Sequence, residues 1–251
     1  MDNIFKDHFS DASDDYLRFR PHYPEALFFY LSSLTKNTHV AWDCATGNGQ
    51  AAFALAKYFD KVIGTDASKN QITHAQPASN ITYRVETVEQ STFNNHSVDL
   101  ITVAQALHWF DMDVFSTEIT RVLKPGGIVA AWTYGLFNIN PKLDKLINTL
   151  YHTKLSPFWP PERVNIENGY ASLQLPLKEI PSPNFQMQVK WNLEQLMGYL
   201  GTWSAVKKYK LHFNVDPVVE LTEPLLSAWG KPSQQLVIRW PLTLKIWKTP
   251  D

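Results

Sequence analysis

Up to about residue 134, short apolar runs alternate with stretches of good helix formers. Val40-Ala41-Trp42 closes on Asp43, passes through a loop of small residues and enters Ala51-Ala52-Phe53-Ala54-Leu55-Ala56. Further apolar runs follow at 62–66, 81–85, 98–103 and 128–132, and 118–123 reads as a helix stopped by Pro125-Gly126-Gly127. Runs that are apolar in the main rather than alternating predict strands buried on both faces. Strands of that kind separated by helices predict a mostly parallel sheet covered on both sides, an α/β architecture of Rossmann-like type.

The texture changes after residue 135. Prolines fall at 157, 160, 161, 176, 181 and 183, and seven of the nine tryptophans lie from Trp132 onward. Phe158, Trp159, Tyr170 and Leu173 are too apolar for a solvated linker, so 136–183 is expected to be an inserted helical and aromatic cap. The alternation of Phe185–Trp191 predicts a strand, 193–200 and 203–210 predict helices, and 236–247 predicts a last strand. The whole of 1–251 is read as one domain carrying that insertion.

Charge and cysteine content narrow the picture. The formal net charge is −1 and the charges are dispersed, without the basic footprint of a nucleic-acid binder. The start, Met1-Asp2-Asn3-Ile4-Phe5, lacks the form of a signal peptide, and no run is long and apolar enough for a membrane span. The lone Cys44 permits no internal disulfide. The cytoplasm is therefore the expected location, with no membrane partner, and no metal is expected because no His/Cys/Asp cluster has ligand spacing.

The most informative segment is Asp43-Cys44-Ala45-Thr46-Gly47-Asn48-Gly49-Gln50, where a strand ends, the chain turns and a helix starts. Its glycines allow a ligand to approach backbone. Gly47-x-Gly49-x-x-Ala52 with Asp66 downstream satisfies a loose dinucleotide fingerprint, so an NAD(P)-dependent oxidoreductase stays open. Charge favours a different ligand. Asp43 at the strand tip repels a pyrophosphate and suits the sulfonium and ammonium of S-adenosylmethionine. Asp66 ends the second strand, where a carboxylate can accept from ribose hydroxyls; its bland alternative is a helix cap, which Ser68 can also provide.

Several further segments carry a family resemblance. Tyr16-Leu17-Arg18-Phe19-Arg20-Pro21-His22-Tyr23-Pro24 precedes the loop, and Ala104-Gln105-Ala106-Leu107-His108-Trp109-Phe110 and Leu123-Lys124-Pro125-Gly126-Gly127 follow it. Later come Trp159-Pro160-Pro161-Glu162-Arg163, Asn168-Gly169-Tyr170 and Tyr199-Leu200-Gly201-Thr202-Trp203-Ser204. With these pieces in order the chain resembles the class I S-adenosylmethionine-dependent methyltransferases, and more narrowly the trans-aconitate methyltransferase-like group. The resemblance implies seven strands in the order 3-2-1-4-5-7-6, the last antiparallel. It assigns Asp43, Ala45, Thr46 and Gly47 to the methionine part of the cofactor. It places Asp66 on the ribose with Ala67 and Ser68 beside it, Val88 and Glu89 at the adenine, and Ala104 and Gln105 again at the methionine. Tyr16 and Arg20 are implied to close over the cofactor. Ala45 stands where the family has glycine, so either its φ is ordinary or the loop shifts.

For the acceptor, His108 is a candidate general base or contact, Trp109 and Trp203 candidate apolar walls, and Arg163 a candidate carboxylate clamp. Each has a plain structural alternative: packing for the first three, a surface arginine for the last. The expected activity is methylation of a small molecule, the resemblance implying a carboxylic acid. A non-catalytic S-adenosylmethionine sensor would carry the same cofactor residues.

Overall fold

A computed structural model describes residues 21–251. The elements are α1 (Glu25–Leu34), β1 (Val40–Cys44), α2 (Gln50–Leu55), β2 (Lys61–Asp66), α3 (Lys69–Thr73), β3 (Ile81–Val85), β4 (Val98–Ala104), α4 (Met112–Val122) and β5 (Leu123–Thr133). They continue with α5 (Pro141–Thr149), α6 (Arg163–Glu167), β6 (Lys178–Ile180), β7 (Phe185–Trp191), α7 (Leu193–Gly201), α8 (Ser204–Phe213), α9 (Thr222–Trp229) and β8 (Leu236–Lys248). Among the described residues no helix is long and apolar enough to cross a membrane.

The strands form one sheet in the order β3-β2-β1-β4-β5-β8-β6, parallel from β3 to β5. β1 lies inside it, between β2 and β4. The last strand, β8, runs antiparallel to β5, as implied. The strand count differs from the expected seven. The 13-residue β8 is long enough to pair with β7 along Leu236–Leu242 and with β5 and β6 along its second half, which makes an eighth strand. The extra one is β6, three residues in a proline-flanked stretch too short to leave a periodic signature.

Alternation along the strands sorts side chains to two faces. Ala41, Ile128, Ala130 and Trp132 join Leu27, Phe28, Ala52, Leu55, Leu143 and Leu196 on one face. Trp42, Val129 and Ala131 join Phe115, Ile119, Leu107 and Tyr170 on the other. Residues 136–183 cross between these layers. Phe137, Leu143 and Leu155 belong to the first, whereas Tyr170, Leu173 and Leu175 belong to the second, so the intervening 156–169 passes from one to the other.

Close packing under the glycine-rich loop constrains two glycines. Gly49 has φ +80°, and a Cβ there would lie 2.2 Å from the Tyr83 hydroxyl. A Cβ on Gly64 would lie 2.7 Å from the Tyr83 ring, whose hydroxyl donates to the Gln76 carbonyl at 2.7 Å. Gly64→Ala is expected to cost about 1–3 kcal/mol, because the ring cannot move without giving up that bond. Thermal denaturation checks this, and a parental melting midpoint would show that Tyr83 swings aside freely.

Candidate cofactor and acceptor site

At the carboxyl ends of β1, β2 and β4 lies a cavity of about 730 Å³. This is where ligands enter open α/β sheets. Of the sequence candidates within the described residues, Ala45, Thr46, Gly47, Asp66, Ala67, Ser68, Val88, Glu89, Ala104, Gln105 and Trp109 line it. Tyr16 and Arg20 lie outside the described residues.

The strand tips hold their shape through two carboxylates. Asp66 Oδ2 accepts from Gly47 N at 2.9 Å and Oδ1 from Ser68 N at 2.8 Å, tying the β1–α2 loop to the β2–α3 turn. Ser68 is the helix cap, accepting from Gln71 N, so Asp66 is not needed for that role.

Asp43 requires a correction. It does not face the cavity but is fully buried beneath the loop. Its Oδ2 accepts from Thr46 Oγ1 at 2.5 Å and Ala52 N at 3.0 Å, and its Oδ1 from Thr102 Oγ1 at 2.7 Å. Burial pushes its pKa up to about 6, against the opposing pull of these three hydrogen bonds, with the Asp66 charge adding to the rise. Asp43 thus orients Thr46 and the start of α2, and any effect on a ligand passes through them. The buried Cys44 thiol has its pKa raised by the same loss of solvent, as befits a packing residue.

Ala45 adopts φ +54° rather than an ordinary value, and Gln105, across the strand tips, adopts φ +56°. Left-handed backbone at non-glycine residues costs energy and persists where the surroundings over-determine it. At Gln105 they do: its backbone N donates to Trp132 O, its amide to Tyr134 O, and its carbonyl accepts from Thr133 Oγ1.

The lining charges are one-sided. Asp66, Glu86, Glu89, Asp111 and Glu162 contribute carboxylates, and among the described residues no lysine or arginine lines the cavity. Thr46 N donates to Thr65 O, Gly47 N to Asp66, Gly49 N to Thr46 O and Ala52 N to Asp43. These four amides are committed within the protein, so it is the one-sided charge of the walls that disfavours the pyrophosphate of a dinucleotide. The same acidic cavity suits a sulfonium and an ammonium, so the donor set fits S-adenosylmethionine.

The acceptor candidates divide. Trp109 forms a wall, but His108, Arg163 and Trp203 do not line the cavity. His108 points at Tyr170, its Nδ1 3.1 Å from the hydroxyl; burial and then the Arg163 charge lower its pKa to about 4. Trp203 packs in an aromatic group with Phe137, Tyr151, Trp159 and Tyr199. Arg163 lies against the same group, while its neighbour Glu162 is the last wall residue. Sequence reasoning missed Tyr23, Glu86, Phe110, Asp111 and Glu162 as walls. Tyr23 is the second tyrosine of the Tyr-x-x-x-Arg-Pro-x-Tyr-Pro segment and packs edge-on to Trp132, so that motif was the available signal. The others come from turns and short helices whose inward faces no periodicity marks.

Known proteins resemble this arrangement. A family profile described as "Methyltransferase domain" matches residues 42–131. A Dictyostelium discoideum protein described as a methyltransferase is 34% identical over 229 residues, which is 90% of this chain and 87% of that one. A solved structure from Anaeromyxobacter dehalogenans, described as a type II methyltransferase, is 39% identical with a TM-score of 0.88, covering 92% of this chain and 99% of its own. A Saccharomyces cerevisiae protein named as an S-adenosylmethionine-dependent methyltransferase is 28% identical over 49% of this chain, less than half of its own length (45%). With a sheet of this order, an acid-lined cavity at its strand tips and relatives of this extent, the chain belongs to the class I S-adenosylmethionine-dependent methyltransferases.

Proposed function

We propose that this methyltransferase acts on a small carboxylic acid and releases its methyl ester. The cofactor site is assigned to the cavity walls: Thr46, Gly47 and Gln105 around the methionine part, Asp66 at the ribose, Val88 and Glu89 at the adenine. Residues 136–183 are assigned as the cap over the acceptor side. The sulfonium of bound S-adenosylmethionine supplies an electrophilic methyl group.

The observation that carries the acceptor class is the pairing of a weak base with an uncommitted cation. His108 is held neutral, feebly basic and turned towards Tyr170, whereas Arg163 forms no ion pair among the described residues. A carboxylate is already ionised at neutral pH and needs no base; a phenol or an ammonium does. What remains for the protein is to hold the acid in line and to exclude water. The resemblance to the trans-aconitate methyltransferase-like group points to the same acceptor class. A second reading, methylation of an amine, draws on Glu162 in the wall, whose carboxylate suits a cation.

Release of S-adenosylhomocysteine over a panel of small acids, phenols and amines tests these readings. Turnover confined to acids supports the first, turnover of amines the second. Silence across the panel with cofactor bound would favour a sensor. With an acid, His108→Ala is expected to lower kcat by less than about 10-fold, below the usual effect of removing a general base. A rate that depends on one basic group titrating near pH 7 would reject the ester-forming reading.

A further inference from the structure

Arg163 is held in an unusual way for a residue close to a cavity rim. Its guanidinium carbon lies 4.2 Å from the Trp159 ring centroid and 5.0 Å from that of Tyr151. Its Nε donates to the Tyr151 hydroxyl, which donates to Glu167 Oε1 at 2.9 Å. Its two terminal amino groups make no hydrogen bond, and the guanidinium no ion pair, among the described residues. Four N–H donors in one plane are thus left without a partner among the described residues, on a fixed support.

The support is itself built specially. α5 continues at Leu150–Lys154 as a π-helical turn, with Leu155 N donating to Leu150 O at 2.9 Å. Such wide turns are rare and concentrate at functional sites, because they re-aim one side chain without ending the helix. Tyr151 is in that turn and is buried. Its pKa is raised to about 12, burial being the largest cause, so it remains a hydroxyl that accepts from Arg163 and donates to Glu167. The Glu167 carboxylate therefore reaches Arg163 only through Tyr151. A direct ion pair would occupy the fork; this relay fixes it and leaves it open. Arg163's charge extends to His108, and Glu162 beside it faces the cavity, so the fork stands next to the acceptor side.

We infer that Tyr151 and Glu167 hold Arg163 as the clamp for the anionic group of the acceptor, with Tyr151 the positioning residue. The class of ligand is a small carboxylate with an apolar face, the acid meeting the guanidinium fork bidentately and the apolar face meeting the Trp159 side. This rests on the acid-acceptor reading above, and the test separates the two.

The full chain, saturated with S-adenosylhomocysteine, is titrated with phenylacetate, itaconate and sorbate and with their neutral amides, read by tryptophan fluorescence and calorimetry. The parent is expected to prefer at least one acid over its amide by about 10-fold or more, as a charge-assisted bidentate pair implies. Arg163→Met and Arg163→Lys should abolish or reduce that preference. Tyr151→Phe should reduce it by about 5-fold or more while S-adenosylhomocysteine affinity and melting midpoint stay near parental. The surface-lying Glu167→Gln, which cannot endanger the core, should do so partially. A parent without acid preference would overturn both this inference and the acid-acceptor reading. A preference lost in Arg163→Met but intact in Tyr151→Phe and Glu167→Gln would overturn the positioning role alone.

Discussion

Asp66→Ala is expected to weaken S-adenosylhomocysteine binding by about 100-fold or more, measured by calorimetry against the parent. Two losses combine. The carboxylate joins the β1–α2 loop to the β2–α3 turn through Gly47 N and Ser68 N, and both amides would lose a charged acceptor. Hydrogen bonds to charged groups contribute about 1.5–3 kcal/mol each, and the ligand hydroxyls assigned to Asp66 would lose their partner as well. Asp66→Asn separates these contributions. It keeps one acceptor oxygen and the shape, and is expected to fall between parent and alanine variant. An alanine variant that binds S-adenosylhomocysteine as the parent does would remove Asp66 from the cofactor site.

A comparably large effect is expected at Asp43, this time on stability. Asp43→Ala strands Ala52 N and removes the acceptor for two buried threonine hydroxyls, a loss of about 2–4 kcal/mol. Asp43→Asn behaves differently, because its oxygen can serve Thr46 and Ala52 while Thr102 rotates to accept from its amide. The useful readout is pH dependence. Folded Asp43 has its pKa pushed up to about 6, against an ordinary value of 3.8, so between those limits the folded protein holds a proton that the unfolded chain releases. Its contribution to stability therefore falls as pH rises through that window. The deficit is absent below the ordinary value and complete above 6, where it amounts to about 3 kcal/mol. Other carboxylates act in the opposite direction: ion pairing at Glu118, Asp216 and Asp251 lowers their pKa values, which favours the folded state at higher pH. The measurement is thus the difference between Asp43→Asn and parent in denaturant melts from pH 4 to 7. That difference should move in the variant's favour as pH rises, and parallel curves would refute the assignment.

At these two residues similar positions in the sequence pattern conceal different surroundings. Both acids were legible from position, one at each strand tip. The chain does not reveal that Asp66 looks into the cavity while Asp43 lies beneath it: Asp66 is the last residue of β2, whereas β1 runs on past Asp43 to Cys44 and Asp43 pairs with Gly64, two positions below Asp66. Strand length and register are set by pairing with distant strands, so depth at the tip is not a local property.

What the sequence determined by itself is the parallel core and the edge of it at which the cavity opens. The largely apolar runs at 40–42, 62–66, 98–103 and 128–132 are best accommodated by burial on both faces. Right-handed crossovers then bring the strand tips and their small-residue turns to one edge. The aromatic second half was legible only as apolar. Its short strand β6, the π-turn at Leu150–Lys154 and the passage of 156–169 from one core layer to the other are set by contacts distant in sequence. Tertiary structure alone decided that His108 turns to Tyr170 and that Arg163 rests on Tyr151 and Trp159. A side chain's direction at a rim depends on which neighbours exclude it from solvent, and no local pattern carries that information.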